Sequence, residues 1–284
     1  MLLLACHGEI PKFDVALFAD TGREPAAVYK NVDRLRSYAE KFDIPVRTVS
    51  AGNIRDDSLD PAHRFVSMPL HVRNPDGTKG MARRQCTNEY KISPLKKAAR
   101  ELLGYPHPRR VPRGTYIEQA IGISTDEFTR AKDSGVRYLC NVFPLINLGW
   151  DRARCVDCLT EQGFGAPVKF ACVGCPFHGN AGWRWIRDHD PDAWSNAVEF
   201  DKAIRNGYPP RQLTRTGTSW TLLPPPVLQA PMRSRPRCTS NVEAAADRHD
   251  QSGRRPRSRR MLAVVVSVRI RYYRRARHDS PGRA

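Results

Sequence analysis

Phe13-Asp14-Val15-Ala16-Leu17-Phe18-Ala19-Asp20-Thr21-Gly22 is an apolar run that ends in a short polar, glycine-containing turn, with Pro25 just beyond it. Phe13 to Phe18 reads as a strand and Asp20-Thr21-Gly22 as the loop leaving it. Pro25 then opens a segment to Lys41 in which Val28, Val32, Leu35 and Ala39 share one helical face. Working outward, Val46 to Ser50 is a second strand after Pro45, Ser93 to Leu103 a helix with Pro94 in its first turn, and Tyr116 to Ile123 a third strand. Strands alternating with helices of this length predict an α/β fold, a doubly wound parallel sheet with crossover helices on both faces. Ligands of such sheets bind beyond the carboxyl ends of the strands, so the loops at Asp20 and Gly122 belong to one working edge.

Beyond Asp151 the pattern turns helical, over Asp151 to Gln162, Ala181 to Asp190 and Asp192 to Arg205, with Trp183, Ile186, Trp194 and Val198 spaced to form one packed face. The chain divides on these grounds into an α/β domain over 1–150, a helical module over 151–208 and a tail over 209–284. The net charge of +18 belongs mostly to the tail. It holds 17 Arg, no Lys and 4 acids, a net +13, which leaves the first 208 residues at an ordinary +5. With Pro224-Pro225-Pro226 and the Arg-rich run from Gly253 to Arg260, it is expected to be disordered. Arg without Lys is what GC-rich DNA yields in a shifted reading frame, and contact with nucleic acid is expected only through this segment. No stretch approaches the roughly 18 apolar residues of a membrane span, and there is no export signal, so a cytoplasmic location with reduced thiols is expected.

Eight cysteines stand at 6, 86, 140, 155, 158, 172, 175 and 238. Cys172-Val173-Gly174-Cys175-Pro176 puts two thiols three positions apart on a turn, able to converge on one metal atom or cluster. Cys155 and Cys158 form a second such pair, and the two together make a zinc-ribbon-like spacing. Arg83-Arg84-Gln85-Cys86-Thr87-Asn88-Glu89-Tyr90-Lys91 gathers three cations at the mouth of a helix, suited to phosphate or sulfate oxygens.

Five motifs occur in order: Phe18-Ala19-Asp20-Thr21-Gly22; Arg84-Gln85-Cys86-Thr87-Asn88-Glu89-Tyr90-Lys91-Ile92-Ser93-Pro94-Leu95; Gly122-Ile123-Ser124-Thr125-Asp126-Glu127-Phe128-Thr129-Arg130-Ala131; Pro144-Leu145 with Trp150; and Cys172-Val173-Gly174-Cys175-Pro176-Phe177. From Leu2 to Gly207 the chain thereby resembles the phosphoadenosine phosphosulfate (PAPS) reductase family of the adenine nucleotide alpha-hydrolase-like superfamily. The resemblance implies a five-stranded parallel sheet that binds an adenine nucleotide or sulfonucleotide for sulfur reduction or nucleotidyl transfer, with a thiol electron donor as a further partner. It implies Asp20, Thr21 and Gly22 beside the adenosine, Arg83, Arg84 and Lys91 near its anionic groups, and Asp126 with Arg130 on the facing loop.

Iron–sulfur members of the family hold a [4Fe–4S] cluster through a cysteine pair in the segment matching Cys86-Thr87 together with the later CxxC. With Thr87 at one of those positions, the quartet implied here is Cys86, Cys155, Cys172 and Cys175, with Cys158 as the alternative fourth ligand and zinc as the alternative metal. Three departures follow. The family's Ser-Gly-Gly-type phosphate loop is not found, because Met1 already stands in what reads as the helix after it; the sheet is expected to be truncated at its front and activity weakened or absent. Ser124 replaces an oxyanion-contacting Arg. The terminal catalytic cysteine motif has no counterpart but Cys238, so no catalytic nucleophile is assigned. Two other readings are an iron–sulfur component of a sulfur-based DNA modification system and a zinc-stabilised, non-catalytic nucleic-acid-binding protein.

Overall fold

The computed structural model describes residues 1–63, 68–73, 79–166, 171–204 and 265–272. The opening motif forms β1 (Val15–Asp20), buried along almost its whole length, and leads through its loop into α2 (Ala26–Glu40), which follows a short α1 (Leu2–Cys6) in the chain. Then come β2 (Val46–Ser50), α3 (Ile54–Leu59) and a small hairpin of β3 (His71–Arg73) and β4 (Lys79–Met81). A π-helical turn over Asn88–Ile92 runs directly into α4 (Ser93–Leu102), where Pro94 sits in the first turn and needs no N–H. After β5 (Thr115–Ala120) come a 3-10 turn over Thr125–Arg130, β6 (Leu139–Val142) and the short α5 (Pro144–Asn147). The helices α6 (Arg152–Glu161), α7 (Asn180–His189) and α8 (Pro191–Ile204) complete the first 204 residues, and β7 (Val265–Tyr272) is the last described element.

The main sheet runs β2-β1-β7-β5-β6. β1 pairs with β2 and β5 with β6 in parallel, as the alternating pattern predicts. The central strand β7 is antiparallel to both of its neighbours, so the sheet is mixed, and the expectation of an all-parallel sheet is corrected. Since β1 and β5 both oppose β7 they are parallel to each other, and their carboxyl ends share one edge.

Helices cover both faces. One core cluster joins Val15, Leu17, Ala19, Ile117, Leu139 and Val268 to Leu95, Ala98 and Ala99 of α4. The other joins Ala16 and Ala120 to Leu2 and Leu4 of α1, Ala39 of α2, Leu145 of α5 and Cys158 of α6. A separate cluster packs Trp183 and Ile186 of α7 against Ala197 of α8, with Trp194 and Val198 at its margin, the face read from the spacing.

Residues 209–284 were expected to carry no structure, and 265–272 depart from that. The alternation supplies the reason. Val268 packs into one sheet face with Ile270 beside it, while Ser267 and Arg269 point to the other, where Arg269 meets Glu118 Oε2 at 3.5 Å and donates to Lys12 O at 3.2 Å. The remainder of the tail, Cys238 included, lies outside the described residues. Val268 is 1% exposed in the central strand. Val268→Asp would bury an unpaired carboxylate and is expected to cost at least ~3 kcal/mol, lowering the melting temperature by roughly 10 °C. Cys140→Ser, at an exposed position, should leave thermal unfolding unchanged.

Candidate functional site

The loop after β1 holds a buried polar cluster. Gly22 adopts φ +69, and a Cβ there would come within 2.9 Å of Asn53 Cα, so the turn requires glycine. Asn53 secures it from below: its Nδ2 donates to Gly22 O at 3.2 Å while its Oδ1 caps α3 by accepting from Arg55 N and Asp56 N. Asp20 accepts from Gly22 N at 2.8 Å and from Tyr29 Oη at 2.9 Å. Burial and this bond to a carboxylate push the Tyr29 phenol up.

The turn directs Glu24 inward, where Lys91 Nζ of the π-helical turn lies 2.8 Å from its Oε1. The same carboxylate oxygen is 3.2 Å from Thr21 Oγ1 and accepts from Cys172 Sγ at 3.3 Å; Thr21 Oγ1 also lies 3.5 Å from that sulfur. Burial works against the Lys91 ammonium, but the Glu24 carboxylate, hydrogen-bonded to it, holds it above its ordinary 10.5. The cysteine loop docks on this turn by its backbone, Val173 N donating to Arg23 O at 2.8 Å. Arg23 is itself anchored on α8, donating through Nε and Nη2 to Asn196 Oδ1 and through Nη2 to the Asn196 carbonyl, with its guanidinium 4.2 Å from the centre of the Phe200 ring. Burial, with Arg55 nearby, lowers the Arg23 guanidinium to about 10.

Cys86, Cys172 and Cys175 line one cavity of about 40 Å³ together with Thr21, Arg84, Lys91 and Phe177. That volume accepts a few water-sized groups. Burial raises all three thiols, Cys175 to about 11; Glu24 raises Cys172 further, and the opposing cations Lys91 and Arg84 do not offset it. Cys155 and Cys158 stand elsewhere, on α6, where they line a cavity of about 220 Å³ with Gly122, Ser124, Trp150 and Ser267. The expected quartet of Cys86, Cys155, Cys172 and Cys175 is therefore divided between two cavities, and Cys158 goes with Cys155. Among the described residues no group of three or more His, Cys, Asp or Glu is placed to hold a metal ion, which overturns both the [4Fe–4S] and the zinc expectation.

Of the expected nucleotide- and anion-binding residues, Thr21, Arg84 and Lys91 line the smaller cavity together, while Asp126 and Arg130 lie on the 3-10 turn after β5. Lys91 faces an internal carboxylate, Arg84 donates to Thr87 Oγ1 at 3.0 Å with its guanidinium 5.2 Å from the Phe177 ring centre, and Arg83 is exposed. Asp126 accepts from Arg152 N at 2.6 Å and from Ser124 Oγ at 3.3 Å, and Arg130 pairs with Glu127 at 2.7 Å on the surface. The reading from sequence missed Glu24, Arg23, Asn196 and Ser267. Two charged residues wedged between Gly22 and Pro25 were the signal available for the first two. No helix among the described residues is long and apolar enough to cross a membrane.

Lys91→Met leaves Glu24 charged and buried, and is expected to cost about 3–5 kcal/mol in denaturant unfolding, with much of the loss recovered by adding Glu24→Gln. Because the Lys91 value is raised in the folded state, its contribution is complete below about 10.5 and declines as the pH climbs above that; unfolding free energies at pH 8 and pH 11 measure the loss. Comparisons of the chain with protein-family models, with curated proteins and with solved structures give no match.

Proposed function

We propose that the chain is a PAPS reductase-like protein that binds an adenine nucleotide or sulfonucleotide at the carboxyl edge of its sheet, in the service of sulfur reduction or nucleotidyl transfer. The observation that carries this reading is the position of the cavity beside α6. In the order β2-β1-β7-β5-β6, the chain moves outward from β1 to β2 on one side and from β5 to β6 on the other. The direction reverses between β1 and β5, the place where open α/β sheets take their ligands. The cavity of about 220 Å³ opens there, between the loop after β5, the start of α6 and Ser267 of β7.

Its lining suits part of a nucleotide. Trp150 offers an aromatic surface for the base, Arg152 a cation for phosphate or sulfate, and the Ser267 hydroxyl, fully buried with no hydrogen-bond partner, a group left for a ligand to satisfy. The five ordered motifs add the resemblance to the family. The adenine ligand sits in this reading beside Ser124 and Arg152, and the Thr21–Lys91 cluster supports the neighbouring loop instead of touching it.

Gly122 permits a discriminating experiment, because a Cβ there meets nothing within 4 Å. Gly122→Leu should fold normally and fill the cavity. Titration of Trp fluorescence with adenosine 5′-phosphosulfate is expected to give saturable binding to the unaltered chain, at least a tenfold loss in Gly122→Leu, and for Arg152→Ala a loss greater for the sulfonucleotide than for adenosine. Equal binding by the unaltered chain and Gly122→Leu, or no binding at all, would remove the reading.

A further inference from the structure

The cysteine loop carries a second chemistry, independent of nucleotide binding. We infer that Cys172 and Cys175 are a redox-active dithiol that exchanges two electrons with a disulfide partner, with Glu24 as the proton acceptor for Cys172. The backbone already holds the geometry. Cys175 N donates to Cys172 O at 2.9 Å, closing a four-residue turn in which Gly174 takes φ +80. Turns of this kind keep their end Cα atoms within about 7 Å, a separation a disulfide spans. Gly174 is required there twice over, by its φ and because a Cβ would sit 3.0 Å from the Arg23 guanidinium. Both cysteines are unpaired and line the same small cavity.

The two thiols have different surroundings, which divides the work between them. Cys172 is held from two sides, by Glu24 Oε1 at 3.3 Å and Thr21 Oγ1 at 3.5 Å, so the first attack falls to Cys175 and the resolving step to Cys172. Cys172 donates to Glu24 Oε1 at 3.3 Å, a base in contact with the thiol it must deprotonate. In the first step the Cys175 thiolate attacks one sulfur of a disulfide RSSR, forming a mixed disulfide and releasing RS⁻, which takes up the proton that Cys175 gave to solvent. In the second, Cys172 passes its proton to Glu24 and attacks the Cys175 sulfur. The bond to the partner breaks, the second RS⁻ departs and receives the proton from Glu24. The sum is protein dithiol plus RSSR giving protein disulfide plus two RSH, with the protein oxidised and the partner reduced.

Oxidised glutathione added to the fully reduced chain is the test. Cys172 and Cys175 lie in one tryptic peptide, Phe170–Arg184, and Cys86 in another, so mass mapping assigns the bond without ambiguity. The expected product is an internal Cys172–Cys175 disulfide that dithiothreitol reverses. Cys172→Ser should stop at a glutathione adduct on Cys175, Cys175→Ser should form no adduct at Cys172 on the same timescale, and Cys86→Ser should oxidise like the unaltered chain. Glu24→Gln should let the mixed disulfide accumulate by slowing its closure about a hundredfold. If that variant does not fold, the two serine variants still decide the matter. A bond from Cys86 to either cysteine, an adduct on Cys172 in place of Cys175, or a chain that stays reduced would each overturn the assignment.

Discussion

One carboxylate oxygen, Glu24 Oε1, holds three parts of the molecule at a single point. It takes the Lys91 ammonium from the π-helical turn, stands beside the Thr21 hydroxyl of its own loop and accepts the Cys172 thiol from the cysteine loop. A charge so deeply buried is tolerated only when it is paired and hydrogen-bonded, and each of these groups is itself fixed by a rigid neighbour. Lys91 is carried into α4, which packs against the sheet; Cys172 is adjacent to Val173, whose N–H holds Arg23 O. The exit from β1, the front of α4 and the cysteine loop thus share one electrostatic origin.

That arrangement also separates two regions of chemistry on the same sheet edge. On the β1 side the space is small, lined with thiols and charge already balanced from within. On the β5 side it is larger and mainly apolar, with an aromatic ring, a cation and an unanswered hydroxyl. In the proposed function the second region takes the nucleotide, and in the proposed dithiol chemistry the first exchanges electrons. The mixed central strand divides them.

The elements that the sequence makes legible are those whose burial is periodic. β1, α2, β2, α4, β5 and the three later helices all follow from apolar spacing and from the prolines at 25 and 94, with ends displaced by up to three residues. β7 was hidden by composition: Val265 to Tyr272 alternates as a strand should, but its arginines merge with the Arg-rich segment around it. The dispersal of the cysteines was not legible for a different reason. Spacing states that Cys172 and Cys175 are close, whereas only tertiary packing places Cys86 beside them and leaves Cys155 on another cavity. Lys91 shows the same limit, for a cation suited to an anion does meet one, and the anion is the chain's own Glu24.

The position of β7 bears on how the molecule assembles. Ile270 donates to Asp14 across 256 residues of chain, and the inner strands of the two parallel pairs, β1 and β5, hydrogen-bond to β7 and not to each other. During synthesis both pairs emerge long before the strand that unites them, each with an unsatisfied inner edge. Pairing over so long a separation forms slowly, and the waiting edges are templates for any other strand nearby. The sheet's weakest moment is therefore one of timing: the two halves must be kept from finding other partners until the ribosome has delivered the strand that belongs between them.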